Sequence, residues 1–266
     1  TSRDNSLIKT IISLQTRKGR KKHHLFLAEG PHLLGEALNS SYEVKAVLTK
    51  GEAKRQGKIW DQIESCRIPV YSVSPSLYTE LTETENPQEL LGIVAQPSEL
   101  AEFPVVEKEF VGLILEQIQD PGNLGTILRT AWAAGFKHIF LTPGTVDPYA
   151  GKVVRASQGG IFNVQIYPSS LPDIFSWAQE NKIKIWAADP CSNLPYFQAD
   201  FTSPTLLLFG NEAHGFAFTA ALIQPEVQLL GIPLPGGAES LNVAISAGIL
   251  IYEVLRQRFP QGTPSA

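Results

Sequence analysis

Methionine is absent from the 266 residues, and cysteine occurs twice, at Cys66 and Cys191, far apart and with no CxxC pair. Two isolated thiols support neither a disulfide framework nor a zinc site, so the expectation is two buried, unremarkable cysteines. The five histidines include one adjacent pair, His23 and His24, but no HxxxH or HxxEH spacing, which argues against a metal enzyme. No apolar run reaches the roughly 20 residues that cross a bilayer. The N-terminal stretch TSRDNSLIKTIISLQTRKGRKK has no signal-peptide core or cleavage site. No membrane and a cytoplasmic location are therefore expected. There is also no repeat, low-complexity tract or heptad, no GxxxxGK[ST] and no GxGxxG, which removes the common nucleotide cradles. Nothing structural explains the missing methionine.

What is present is a globular composition, 43% hydrophobic and 18% charged, in a chain long enough for one large domain or two ordinary ones. A net charge of −4 does not suit a polyanion binder, but the charge is unevenly distributed. Residues 17–22 (RKGRKK) hold five basic side chains in six positions, whereas residues 80–109 hold eight glutamates and one lysine. By themselves the first stretch reads as a solvated loop or a phosphate contact, and the second as surface and linker.

The first hundred residues alternate in type. Helices are expected over 5–14, 31–38 (with Pro31 in the first turn), 52–65 and 74–82, and strands at 25–30, 44–49, 68–73 and 90–96. Together they make a small α/β sandwich over residues 1–97. PSELAEFPVVEKE, rich in charge and proline, reads as a linker over 98–109. The second half, 110–259, repeats short apolar runs at 111–115, 138–142, 163–167, 183–189, 205–210 and 227–234, separated by helical stretches that include 124–134, 171–181 and 241–257. Such runs suit strands of a parallel sheet covered on both faces. The helix at 241–257 is apolar almost all round, so it needs cover from two directions, which favours a second subunit. Residues 260–266 read as a disordered tail.

Three strand ends in this sheet open into glycine-rich loops. QDPGNLGTILRT (119–130) carries Asn123 and Arg129, LLLFGNEAHGF (206–216) carries Gly210 and Glu212, and IPLPGGAESLNVAIS (232–246) carries Ser240 and Asn242. Each has a local explanation: Asn123 as a helix N-cap, Glu212 as a first-turn acid, Ser240 as a cap. Arg129 resists one, because a buried arginine needs a partner, and Glu212 could supply it. Ligands of parallel sheets bind beside the carboxyl ends of the strands.

NxGxxxRTAxAxG at 123–135, FGNExxG at 209–215 and IPLxGxxxSLNVAxxxGIxxYE at 232–253 resemble, in order and spacing, the three motifs of the SpoU (TrmH-type) RNA ribose 2′-O-methyltransferases of the SPOUT superfamily. KVVRASQGGIFNV (152–164) is similar to a segment lying between the first two motifs, and FLAEGPHLLGEAL (26–38) to an L30e-like RNA-binding domain that precedes many members. The resemblance implies an α/β fold whose parallel sheet carries a deep trefoil knot, a homodimer, and S-adenosyl-L-methionine as methyl donor. It implies donor binding by backbone at Gly210, Ile232 and Leu241, and catalytic positions at Asn123, Arg129, Glu212, Ser240 and Asn242. It revalues Arg17, Lys18, Arg20, Lys21 and Lys22 as RNA contacts, with Arg155 joining them near a partner's pocket. Ribosomal RNA is the expected substrate. Transfer RNA, or a non-catalytic RNA-binding role in ribosome assembly, are the alternatives.

Overall fold

A computed structural model describes residues 5–97, 102–211, 215–216 and 227–258. Glu212, part of the expected linker and the expected tail lie outside the described residues. Two compact units divide the chain: Thr1–Glu99 with Asp147–Asn163, and Leu100–Val146 with Val164–Ala266.

In the first unit α1 (Ser6–Leu14) is capped by Asn5, whose side chain accepts from the Leu7 amide, and it buries Ile8, Ile11 and Leu14. RKGRKK is not a loop but most of a second helix, α2 (Arg17–His23), capped by Thr16 and ended by His24 at φ 52°. Gly19 fixes how α2 lies on α1, since a Cβ there would sit 1.9 Å from the Ser13 carbonyl oxygen. β1 (Leu25–Glu29), α3 (Pro31–Leu38), β2 (Val44–Lys50), α4 (Lys58–Ser65), β3 (Val70–Val73), α5 (Pro75–Leu81) and β4 (Leu90–Ala95) follow. The strands form one sheet ordered β1-β4-β2-β3, with only β2–β3 parallel. The helix expected over 52–65 shrinks to α4, because Gly51 and Gly57 take φ of 70° and 93°, outside the helical region. Cys66 and Cys191 are both exposed, against the expectation of burial: Cys66 sits at the C-cap of α4 and Cys191 in the loop after a strand end.

The second unit opens with β5 (Val111–Leu115), α6 (Pro121–Ala133) and β6 (His138–Leu141). After α7 (Gly151–Ser157), which belongs to the first unit, come β7 (Gln165–Pro168), α8 (Leu171–Glu180), β8 (Lys184–Ala188), β9 (Thr205–Phe209), β10 (Val227–Leu230) and α9 (Val243–Arg258). The six strands are parallel throughout, in the order β10-β8-β9-β5-β6-β7. Leu113–Leu115 and Leu206–Leu208 are fully buried, as continuous apolar runs covered on both faces should be. One face packs on α8 through Ile174 and Phe175, while α6 and α9 pack against each other. Phe103 and Val106, in the stretch read as linker, join the core beside α8, with Phe103 edge-on to Phe140 and Trp177.

Asp147–Asn163, which follows β6 in sequence, folds onto the first unit. Arg20 Nε meets Asp147 Oδ2 at 2.7 Å, and Arg20 Nη1 donates to the Leu14 carbonyl at 2.8 Å. Tyr149 and Phe162 pack around Phe26, and Phe162 also meets Tyr42 edge-on. Burial pushes the Tyr149 and Tyr42 hydroxyls upward, which keeps both as hydrogen-bonding groups rather than charges.

Candidate functional site

The carboxyl ends of β8, β9 and β10, with the start of α6, surround a cleft of about 660 Å³, within the usual range of small-ligand sites. Phe216, Leu230, Ile232, Leu234 and Leu241 supply apolar wall, while Asn123, Asp189, Ser240 and Asn242 bring polar groups.

Local chemistry sets each side. Asp120 caps α6, accepting from the Asn123 amide at 2.8 Å, and Pro121 occupies the first turn. The helix thus begins before Asn123, which is not its cap. Asn123 lies inside the first turn and lines the cleft, and its Oδ1 accepts from Asn242 Nδ2 at 2.9 Å. Asn242 in turn caps α9: its Oδ1 accepts from the Ala244 amide at 2.9 Å and the Ile245 amide at 3.3 Å. One amide side chain therefore ends the third-motif loop and ties it to the first-motif helix.

After β9 the backbone folds back on itself. The Asn211 amide donates to the Gly215 carbonyl at 2.8 Å and the Gly215 amide returns a bond to Asn211 at 3.0 Å. Gly210 lies under this turn, where a Cβ would come within 2.7 Å of the Gly215 oxygen and 2.8 Å of the Phe216 ring. Asn211 Nδ2 donates to the Gln117 carbonyl at 2.8 Å, linking the β9 loop to the β5 loop. Gly210 is thus required by the close approach of Gly215 and Phe216 beside the cleft.

Six of the expected positions meet here: Asn123, Gly210, Ile232, Ser240, Leu241 and Asn242 all line the cleft. Arg129 does not. It is exposed on α6 rather than buried, on the face shared with Thr126 and Ala133. Nearby, Leu241 just before α9 (36% exposed) and Ile245 and Tyr252 on it (55% and 50%) leave a stripe of apolar residues in water. Gly248, between them, has its Cβ position 3.9 Å from the Thr130 methyl, so the stripe borders the Arg129 turn of α6.

The basic cluster divides. Gly19 and Arg20 face inward, whereas Arg17, Lys18, Lys21 and Lys22 are exposed on one contiguous arc of α2. Arg20, expected at RNA, is instead buried against Asp147. Arg155, also expected there, pairs with Glu83 at 3.2 Å and approaches Glu29 at 3.9 Å, so its charge is already answered within the first unit. Asn211 and Asp189 were not singled out from sequence. The first stands in FGNExxG beside Gly210, and the second is the charged residue closing the strand run IKIWAAD, a position that parallel sheets present to ligands. Among the described residues no group of three or more metal-ligating side chains is assembled. Among them too, no helix is long and apolar enough to cross a membrane.

Comparison with known proteins places this geometry. Residues 111–252 match the SpoU rRNA methylase family, and residues 5–92 match the MRM3-like substrate binding domain. The 23S rRNA (guanosine(2553)-2′-O)-methyltransferase RlmP of Bacillus subtilis is 36% identical over 95% of this chain and 97% of its own. An AdoMet-bound rRNA methyltransferase from Sinorhizobium meliloti superposes with a TM-score of 0.86 at 30% identity, covering 98% of both chains. The SpoU methyltransferase AviRb from Streptomyces viridochromogenes, also in complex with AdoMet, gives 0.84 at 28% identity over 96% of this chain and 98% of its own.

Proposed function

The chain belongs to the SpoU rRNA methylase family, and we propose that it methylates the ribose 2′-hydroxyl of one nucleotide in ribosomal RNA, using S-adenosylmethionine. The observation that carries this is the cleft at the carboxyl ends of β8, β9 and β10 beside the start of α6, where six motif residues converge. Similarity to RlmP along both units favours ribosomal over transfer RNA, since the substrate-binding unit is matched as well as the catalytic one.

The donor supplies an electrophilic methyl group on a positive sulfur. The cleft fits it: apolar walls for an adenine, with Gly210, Ile232 and Leu241 all lining the cleft where their main chain can meet the donor. Asn123 and Asn242, bonded to each other, hold the starts of α6 and α9 at fixed separation, so that Ser240 and the two amides line up reacting groups rather than react. Arg129 keeps its proton and cannot act as a base. It lowers the cost of ionising the ribose hydroxyl, whose proton leaves to a phosphate oxygen or water. The carboxylate role in this proposal goes to Glu212, which lies outside the described residues.

A homodimer completes the reading. A second copy laid on the apolar stripe of α9 would take Ile245 and Tyr252 out of water, and would desolvate the neighbouring turn that carries Arg129. The C-terminal segment, through α9, is the part that threads the trefoil knot, and the enzyme works in the cytoplasm where ribosomes are built. RNA is gripped by the exposed arc of Arg17, Lys18, Lys21 and Lys22.

The test supplies purified protein with S-adenosylmethionine and, separately, unmodified large-subunit ribosomal RNA and bulk transfer RNA. Methylation is mapped by resistance of the adjoining phosphodiester to alkali. One resistant site in ribosomal RNA is expected. Modification confined to transfer RNA, or methyl groups on bases, would sink the proposal.

A further inference from the structure

Among the described residues that line the cleft, Asp189 carries the only charged side chain. It follows directly on β8, which lies between β9 and β10 in the sheet, so it stands between the loop after Gly210 and the loop after Ile232. Its backbone is held on both sides: the amide donates to the Leu230 carbonyl at 2.9 Å and the carbonyl accepts from the Ser192 amide at 3.1 Å. Its side chain is fixed through one oxygen, Oδ1, which accepts from the Cys191 amide at 2.7 Å. That bond orients the carboxylate and accounts for one of its two oxygens. Gly231 lets the end of β10 pack closely on this turn, since a Cβ there would meet the Ser192 and Asp189 backbone carbonyl oxygens at 2.8 Å and 3.3 Å.

S-adenosylmethionine carries two positive groups, the sulfonium and the α-ammonium, against one carboxylate. Among the described residues the rest of the cleft wall is apolar or neutral, the donor's own carboxylate answers one of its two positive groups, and a fixed anion there has a stronger effect on the other than in open water. Resting on the donor assigned above, we propose that Asp189 is the anionic contact for the positive charge of the bound donor. Its role is binding and discrimination, and it takes no proton from the ribose.

The sulfonium is lost when the methyl group leaves, whereas the ammonium persists in S-adenosylhomocysteine, so ligands separate the two sources. Asp189→Asn keeps the acceptor for the Cys191 amide and removes only the charge. Calorimetric titration of wild type and variant with S-adenosylmethionine, S-adenosylhomocysteine and 5′-methylthioadenosine forms the experiment. The variant is expected to bind S-adenosylmethionine about tenfold more weakly, the usual worth of a charge-assisted bond. It should bind the neutral methylthioadenosine within about twofold of wild type, which also reports an intact cleft. Weakening confined to S-adenosylmethionine identifies the sulfonium; equal weakening of S-adenosylhomocysteine identifies the ammonium. Unchanged binding of all three overturns the proposal, and so does methylthioadenosine weakening as much as the donor, which would make Asp189 a contact for the ribose hydroxyls. A wild-type protein that binds none of them overturns the donor assignment itself, and this proposal with it.

Discussion

Arg20 and its four basic neighbours on α2 should respond to mutation in opposite ways. The Arg20 and Asp147 side chains are only 6% and 13% exposed and meet at 2.7 Å. A charge pair about 4 Å apart at an effective dielectric near 20 attracts by about 4 kcal/mol. Removing one partner leaves the other buried and unanswered, which costs roughly 3–5 kcal/mol. Asp147→Asn should therefore lower unfolding free energy by about that much, measured by denaturant titration. Arg20 retains its bond to the Leu14 carbonyl in that variant, so the lower end of the range is expected. Removing both charges with Arg20→Met and Asp147→Leu should recover most of the loss, because the apolar pair carries no desolvation penalty. Lys18→Gln and Lys21→Gln, on the exposed arc, should stay within about 0.5 kcal/mol of wild type. In RNA titrations over a salt series, each of those two should flatten the slope by about one counterion. The reasoning is refuted if Asp147→Asn costs under about 1 kcal/mol, or if Arg20→Gln flattens the salt slope while leaving stability intact.

Two further outcomes follow from the second unit. Gly210→Ala places a methyl 2.7 Å from the Gly215 oxygen, so the paired Asn211 and Gly215 must shift; donor affinity should fall by more than about tenfold while RNA affinity through α2 is unchanged, and retained donor binding would contradict the close approach. His138, whose pKa burial and then Lys137 hold below the ordinary 6.5, binds protons more readily unfolded, so its contribution is complete above about pH 6.5 and is lost as pH falls towards its folded value. Thermal unfolding between about pH 7.5 and 5.5 should show that loss in wild type and less of it in His138→Gln; equal slopes would rule His138 out.

The parallel sheet was legible because its strands are buried on both faces and so read as unbroken apolar runs. VGLIL and TLLLF pair directly as β5 and β9. Element ends followed rules that single-residue chemistry carries. Pro31, Pro75 and Pro121 each begin a helix, and the Asn242 cap starts α9 at Val243, two residues later than hydrophobicity alone suggests. Capping was misjudged at Asn123 because two candidates, Asp120 and Asn123, stand three residues apart. Proline at the position after Asp120 decides between them, since it fits only the first turn. Arg129 was misjudged for a different reason. Its apolar neighbours Ile127, Leu128 and Ala131 are buried, but residues two positions apart on a helix point to different sides. A charged residue among apolar ones therefore need not share their surroundings. Arg20 is the converse case, a cation in a basic run that the helix turns inward.

The largest gap concerns which residues make the first unit. Its sequence reads as a stretch that ends near residue 97, yet Asp147–Asn163 closes it with a buried ion pair and an aromatic group of Tyr149 and Phe162 around Phe26. Local periodicity could not show this, because the partners lie more than a hundred residues apart and the short helix Gly151–Ser157 has no long apolar run of its own. The buried arginine was the one available signal: RKGRKK contains a glycine where a helix loses about 1 kcal/mol relative to alanine. Such a residue in a short helix asks for a close neighbour, and here Gly19 lies on the end of α1. The same packing turns Arg20 inward and leaves the other four cations outward. The helix proposed to grip RNA is thus held by a residue from the segment between β6 and β7, so the grip and that connection share one ion pair. The proposed phosphate grip on α2 and the fold of Asp147–Asn163 are for this reason properties of one unit, the first.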